Sequence, residues 1–485
     1  MNLRDIIKDS QYTVVPSISK WDVEIENITF DSRQVGKNTL FVAQVGTHVD
    51  GHDFIEMAVE NGASAIVCQR LPKILHEGVI YITTSDSDQM LGEMASNFYG
   101  NPSKHLKLIG ITGTNGKTTT VTLLHQMFRL QGAHVGLIST IVNKIDETAI
   151  PSTHTTPDAL EINSLLRRMV DAGCEYCFME VSSHSVVQKR IAGLSFAGGI
   201  FSNITHDHLD FHKTMAAYIT AKKGFFDMLP SNAFALTNCD DRNGLVMTQN
   251  TKATIYTYSL RQMADFRCKI IENGFQGLML EINGKEVCTQ LVGQFNAYNL
   301  TAIFATAVLC GTNNQNALEL LSELKPAEGR FAHIYGKGIN AIIDYAHTPD
   351  ALENVIDTIN NIRQNSQILI TVVGCGGDRD KTKRPEMARI AVRKSGKVIL
   401  TSDNPRTENP EAILDDMEAG LNNQERCEVV RICDRRQALR AAVMMAKEND
   451  IILVAGKGHE KYQEINGVKH HFDDMEEIAK LLQNM

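Results

Sequence analysis

The alternation of apolar and polar residues divides this chain into short buried strands, each running into a turn and then a helical stretch. Residues 106–111 form a brief apolar run that enters a glycine-rich turn, and residues 118–130 beyond it space their apolar positions along one helical face. The same strand–loop–helix unit is predicted at 198–204, 233–236, 368–373, 397–401 and 451–455, with a further buried strand over 176–181. Residues 297–310 read as a long apolar helix. Strands alternating with helices imply parallel sheets covered on both faces, so the fold class expected is α/β.

Two changes of texture interrupt this rhythm. Tyr99-Gly100-Asn101-Pro102-Ser103 is a turn-rich break after a helical pattern, and 326–338 carries PAEGRF and YGKG after the long apolar helix. They predict an N-terminal α/β domain over 1–103, a central nucleotide-binding domain with a parallel sheet over 104–331, and a C-terminal Rossmann-like domain over 332–485. A length of 485 residues agrees with about three domains. No internal repeat or low-complexity tract is present.

Composition narrows the function classes. With 43% hydrophobic and 22% charged residues, the chain is of globular type. A formal charge of −9 offers no basic footprint, so nucleic acid is not expected as a partner, and any anionic ligand must meet locally placed donors. No apolar run approaches membrane-spanning length, and the opening MNLRDIIKDS lacks a signal-peptide core, so the expected address is cytoplasmic. Cys174 and Cys177 form a CxxC, but no second pair stands at zinc-ribbon spacing. The pair lies in the apolar run CEYCFMEV, which predicts buried, reduced thiols.

The strongest chemical signal is Gly110-Ile111-Thr112-Gly113-Thr114-Asn115-Gly116-Lys117-Thr118, between a predicted strand and a predicted helix. Its glycines let backbone N–H groups converge on phosphate oxygens, and the helix adds its positive N-terminal end. Lys117 is placed to reach the outer phosphates and Thr118 to hold Mg²⁺. The strict phosphate-loop pattern has glycine where this chain has Ile111, and the loop alone leaves kinase, motor, switch and ligase open.

Glu180 ends a predicted strand, where ligands of open α/β sheets gather, and is a candidate metal ligand. His206, His208 and His212 put three imidazoles in seven residues. Zinc, the Mg²⁺ of a nucleotide site and a solvated polar loop all remain open readings of that cluster.

Taken together, GTNGKTTT, MEVSSH, ITHDHLDFH, GQFNAYN, Gly329-Arg330 and DYAHTPDAL closely resemble the motifs of the Mur ligase family, in that family's order, from about residue 30 to 465. The resemblance implies an ATP-dependent amide-bond ligase that works through an acyl phosphate. Thr112, Gly113, Thr114, Asn115, Gly116, Lys117, Thr118, Asn296, Asn299, Arg330, Asp344 and His347 then match ATP-binding positions. Thr118, Glu180 and His208 match the magnesium neighbourhood, and Lys117, Glu180, His208 and Lys222 the catalytic set. Lys222 resembles the family's carbamylated lysine, an anion able to approach a second Mg²⁺, although Lys223 beside it is not excluded by the residues alone. Helix capping is the competing reading of Asn296 and Asn299, which begin an apolar helix.

The block FDSRQV, then LFVA, is similar to the UDP-binding domain of the member that adds the third peptide residue. On that resemblance Ser32, Thr155, Thr156, Ser182, Gln188 and Arg190 contact a UDP-N-acetylmuramoyl-L-alanyl-D-glutamate substrate. Asp403-Asn404-Pro405-Arg406 resembles the motif of members that select meso-diaminopimelate over lysine, and Arg379, Gly456 and Glu460 match the remaining amino-acid positions. The chemistry fits: the distal carboxylate that lysine lacks can pair bidentately with Arg406. The enzyme is expected to work as a monomer with ATP as cosubstrate and Mg²⁺ as cofactor. The competing readings are a lysine-adding or folylpolyglutamate synthase-like relative, a nucleotide switch, and a dinucleotide oxidoreductase using Gly374-Cys375-Gly376-Gly377.

Overall fold

The computed structural model describes residues 1–8, 10–15, 23–46, 49–205, 207 and 209–484. Three large sheets follow one another along the chain. The first joins Thr13–Val15, Ile80–Thr83, Ala63–Cys68, Thr39–Val42 and Asn27–Thr29 side by side, all parallel apart from the first. The second has eleven strands, with a parallel centre and antiparallel hairpins at both edges. The third runs Ala332–Gly336, Ile339–Asp344, Ile451–Ala455, Leu369–Val373, Lys397–Leu400 and Val429–Arg431, parallel after its first pair. Helices cover both faces, and the α/β class expected from the alternating pattern is what the chain adopts.

At the middle of the second sheet lies Lys107–Thr112, paired in parallel with Tyr176–Glu180 and Gly198–Phe201. Residues 108–112 are all buried, on both faces of the sheet, as a doubly covered parallel strand requires. All three strands end on the same edge, which sets Thr112, Glu180 and the segment after Phe201 around one crevice.

Two expectations are corrected. The strand predicted over 198–204 stops at Phe201: the Ser202 N–H still reaches the Thr112 carbonyl, but Ser202 Oγ, Asn203 Oδ1 and the Thr205 N–H then bond the glycine-rich loop, and the ladder ends. The texture break at 326–338 contains a strand, Ala332–Gly336, which turns back through Lys337 (φ 52°) and Gly338 (φ 74°). Left-handed conformations at two successive turn residues match the twist of a tight hairpin.

The long apolar helix spans Gln294–Leu309, starting earlier than predicted because its first turn is polar. It is buried around most of its circumference, packing against Lys117–Leu130 and strands of the second sheet. Cys174 and Cys177 are buried free thiols, and burial raises both thiol pKa values, Cys174 to about 11.

Candidate active site

The loop between Lys107–Thr112 and the helix Lys117–Leu130 is held from beside. Asn203 Oδ1 accepts from the Asn115 N–H at 2.9 Å, and Ser202 Oγ donates to the Asn115 carbonyl at 2.7 Å. Gly116 has φ 88°, a left-handed turn that delivers the chain into the helix, and its Cα faces Asn299 Oδ1. Lys117 Nζ folds back onto the carbonyls of Gly113 (2.8 Å) and Thr114 (2.9 Å). Burial lowers the Lys117 pKa, an effect opposed by Glu180 and Asp207.

A second lysine reaches the same point. Lys222, from helix Met215–Asp227, is 1% exposed and donates to the Gly113 carbonyl at 2.8 Å. Burial, then the nearby Lys117, pull its pKa well below the ordinary lysine range. Lys223 points away and pairs with Asp227 at 2.6 Å.

Glu180 is fully buried, and its carboxylate accepts from the Thr140 N–H (2.8 Å) and Oγ1 (3.1 Å). Thr118 and Glu180 bring a hydroxyl and a carboxylate to the crevice, an oxygen set of the kind Mg²⁺ takes together with water and phosphate oxygens. His208 lies outside the described residues, as does His206. His212 is buried, with Nε2 at 2.8 Å from Ser183 Oγ and its ring against His184 and Tyr218.

The third sheet's unit closes the other side. Arg330 lies over the Tyr345 ring and donates to Thr118 Oγ1 at 3.4 Å, while its buried Nε has no partner among the described residues. An orphaned guanidinium N–H beside a glycine-rich loop at a helix N-terminus is a donor suited to an anion. Asp344 accepts from the Phe331 N–H at 2.7 Å, and burial raises its pKa against the opposing charge of Arg330. His347 Nδ1 lies 2.8 Å from the Tyr345 carbonyl. Asp350, which the motif reading missed, accepts from Asn115 Nδ2 at 2.6 Å and Thr205 Oγ1 at 3.0 Å.

Asn296 and Asn299 do not cap their helix, whose N-cap is Gly293. Asn296 Nδ2 donates to the Val292 carbonyl, and Asn299 Nδ2 to Asn296 Oδ1, which leaves Asn299 against Gly116.

Next to Glu180 stands a polar cluster. Thr156 Oγ1 donates to the Glu180 carbonyl (2.8 Å) and accepts from the Ser182 N–H (3.0 Å), while Arg190 donates to the Thr156 carbonyl at 2.7 Å. Thr155 is joined through Thr140, and Gln188 ends the short helix Ser183–Val187. Ser32 stands on the first sheet's unit in the turn Ser32–Gln34, and no hydrogen bond among the described residues joins it to this cluster.

A second polar cluster lies at the carboxyl edge of the third sheet. Asn404 Nδ2 donates to Glu460 Oε2 at 2.6 Å, and Asn404 Oδ1 accepts from Lys457 Nζ at 3.0 Å and from the Glu464 N–H at 2.9 Å. Arg406 (φ 51°) donates to the Gly377 carbonyl at 2.7 Å, with Glu464 at 3.7 Å. Gly456 has φ 116° and leaves no room for a side chain against Asp403. Arg379 lines an open concavity with Asp378, Asp380, Lys381 and Glu408, and the Pro405 carbonyl accepts from the Glu408 N–H.

Sequence reasoning also missed Arg384. It is fully buried, bonds Glu408, Asp416 and the Gly376 carbonyl, and holds the Glu408 pKa down to about 2. The glycine run 374–377 thus borders this cluster, with the Gly376 carbonyl taken by Arg384 and the Gly377 carbonyl by Arg406. Lys457 could have been found, since a charge between two glycines directly after a buried strand sits where α/β ligands gather.

Three family models match in succession: the Mur ligase family, catalytic domain over 24–99; the Mur ligase middle domain over 111–307; and the Mur ligase, glutamate ligase domain over 329–458. The chain is 55% identical over its full length to a Phocaeicola vulgatus protein named UDP-N-acetylmuramoyl-L-alanyl-D-glutamate–2,6-diaminopimelate ligase, of which it covers 100%. A Bacteroides fragilis protein of the same name is 54% identical over 99% of each chain. A solved structure bearing that name superposes with a TM-score of 0.71 at 31% identity, over 99% of this chain and 98% of the other.

Proposed function

Because the chain belongs to the Mur ligase family, we propose that it is the ATP-dependent ligase that adds meso-2,6-diaminopimelate to UDP-N-acetylmuramoyl-L-alanyl-D-glutamate in peptidoglycan precursor synthesis. The observation that carries this reading is full-length similarity, at 54–55% identity, to relatives named for that reaction. In this reading residues 1–103 bind the UDP end, 104–331 bind ATP and 332–485 bind the amino acid, in a cytoplasmic monomer.

The reaction runs in two steps. A carboxylate oxygen of the UDP-linked dipeptide attacks the γ-phosphorus of ATP, the bond to ADP breaks, and an acyl phosphate forms. The amine of diaminopimelate then attacks the acyl carbon, phosphate leaves with the bonding electrons, and the nitrogen loses a proton. The first step brings two anions together, so donors must offset their repulsion.

Lys117 is suited to exchange its two carbonyl bonds for phosphate oxygens, and Arg330 to turn its unpartnered Nε toward the same charge. Thr118 and Glu180 would hold Mg²⁺, a role the family motif also gives His208, and the ion would lower the repulsion between the reacting oxygens. Lys222 favours the neutral amine, the form that reacts with carbon dioxide to give a carbamate, which supports its assignment as the modified lysine. Asn296, Asn299, Asp344 and His347 complete the nucleotide side.

Ser32, Thr155, Thr156, Ser182, Gln188 and Arg190 take the UDP-muramoyl substrate. Arg379, Asp403, Asn404, Pro405, Arg406, Gly456 and Glu460 take the amino acid. Arg406 would exchange the Gly377 carbonyl for the distal carboxylate, and Glu460 would face an ammonium. Lysine offers Arg406 nothing to pair with, which is a basis for discrimination.

Phosphate release from ATP tests the proposal. It should require both the UDP-linked dipeptide and meso-diaminopimelate, and hydroxylamine should trap the activated acid. Equal turnover with lysine, or release without the dipeptide, would overturn it.

A further inference from the structure

Lys457 is fully buried at the carboxyl edge of the third sheet, between Gly456 and Gly458, and the amino-acid reading gives it no task. Its Nζ lies 3.9 Å from Asp403 and 3.7 Å from Glu460, and donates to Asn404 Oδ1 at 3.0 Å. Arg435 is already held by Asp474 at 2.7 Å in a fully buried pair, and Arg406 is turned to Gly377 and Glu464. Lys457 is therefore the cation at ion-pairing distance from both carboxylates, the buried Asp403 and the half-buried Glu460, among the described residues.

We propose that Lys457 is the positioning and charge-setting residue of the amino-acid pocket, keeping Glu460 anionic and aimed at the substrate ammonium. This rests on the reading of that pocket given above. Two features carry it.

The first is orientation. Asn404 Oδ1 is claimed by Lys457 and by the Glu464 N–H, so its amide nitrogen must face Glu460. Without the ammonium, one of the two reasons for that orientation is gone.

The second is charge. Asp403 places a second negative charge beside Glu460, which favours protonation of Glu460. Burial and Asp403 raise the Glu460 pKa, whereas Lys457, the Asn404 amide and Arg406 lower it. The other groups facing Glu460 are Tyr345, Tyr462 and Arg435. Remove Lys457, and Glu460 binds its proton more tightly. A neutral Glu460 loses its attraction for an ammonium, and the loss is undone as pH rises.

The experiment uses full-length enzyme and Lys457→Met, with KM for each of the three substrates measured between about pH 6 and about pH 8.5, below the titration of ordinary amines. At neutral pH the KM for meso-diaminopimelate should rise by about tenfold or more and fall again toward high pH, while the ATP and dipeptide KM values stay within about twofold. In a Glu460→Gln background the same substitution should add little, because the two residues act together. An unchanged amino-acid KM, a loss independent of pH, or additive losses in the double variant would each overturn the proposal. Lys457→Gln keeps a donor toward Asn404 without the charge and gives the same pH reading if the Met variant does not fold. Wild-type enzyme that ignores diaminopimelate would sink the underlying reading, a result visible before any variant is made.

Discussion

Adjacent lysines show what a single position can decide. Residues 222 and 223 follow one another on a helix, so about 100° of rotation separates them. One turns into the protein, to the Gly113 carbonyl, and the other turns out to Asp227. Charge and identity are the same, hence the sequence offered a pair of candidates, and only packing distinguishes them. If Lys222 is carbamylated and helps hold charge at the phosphate loop, Lys222→Ala should lower kcat by about a hundredfold or more. Short carboxylates such as formate should restore part of it by filling the space with an anion. Lys223→Ala should cost no more than about 0.5 kcal/mol of stability and leave kcat near wild type, as its pair is a surface i,i+4 contact. Equal losses from both variants, or no rescue, would remove Lys222 from the assigned role. The same limit explains Lys457 and Arg384. Arg384 takes its carboxylates from distant segments, and Lys457 reaches across the chain to Asp403 and Asn404 as well as to Glu460 three residues on; without those distant partners in view, a charge in a sequence reads as surface.

Elements were legible where an apolar run coincides with one conformation, as in Ile451–Ala455, and misread where it does not. Ile204 is 7% exposed, so its apolarity did report burial. It is buried as part of a segment that has left the sheet to brace the loop, and periodicity carries no sign of that departure. The loop itself depends on a backbone shape that only glycine adopts easily. At Gly116 a left-handed non-glycine residue costs about 1–2 kcal/mol, and an added Cβ would also lie 2.5 Å from Asn299 Oδ1. Gly116→Ala should therefore retain the far-ultraviolet circular dichroism of the fold while raising the KM for ATP, with the KM for diaminopimelate little changed. Unaltered ATP affinity together with an unaltered melting temperature would mean that this turn does not seat the nucleotide.

At the scale of the whole molecule, the glycine-rich loop 113–118 is a joint between two units built on separate sheets. Arg330 reaches Thr118, and Asp350 holds Asn115 and Thr205. The Asn115–Asp350 contact spans 235 residues of chain, and no local pattern in the sequence relates its ends. Motif order implied that the C-terminal unit would reach ATP through Arg330, Asp344 and His347; the role of Asp350 emerges only in three dimensions. Hydrogen bonds to a charged acceptor are worth about 1.5–3 kcal/mol each, enough to bias the approach of one unit to the other. Asp350→Ala should weaken that approach without touching either core. Amide hydrogen exchange over 113–118 should quicken, because the loop loses a brace, while exchange in the buried strand Ile451–Ala455 keeps its rate. The KM for ATP should rise, and small-angle scattering of the nucleotide-free enzyme should give a larger radius of gyration. Exchange that quickens equally in both places would point to global destabilisation. Exchange that quickens in neither would mean that the loop is held by Ser202 and Asn203 alone, and that Asp350 takes no part in joining the two units.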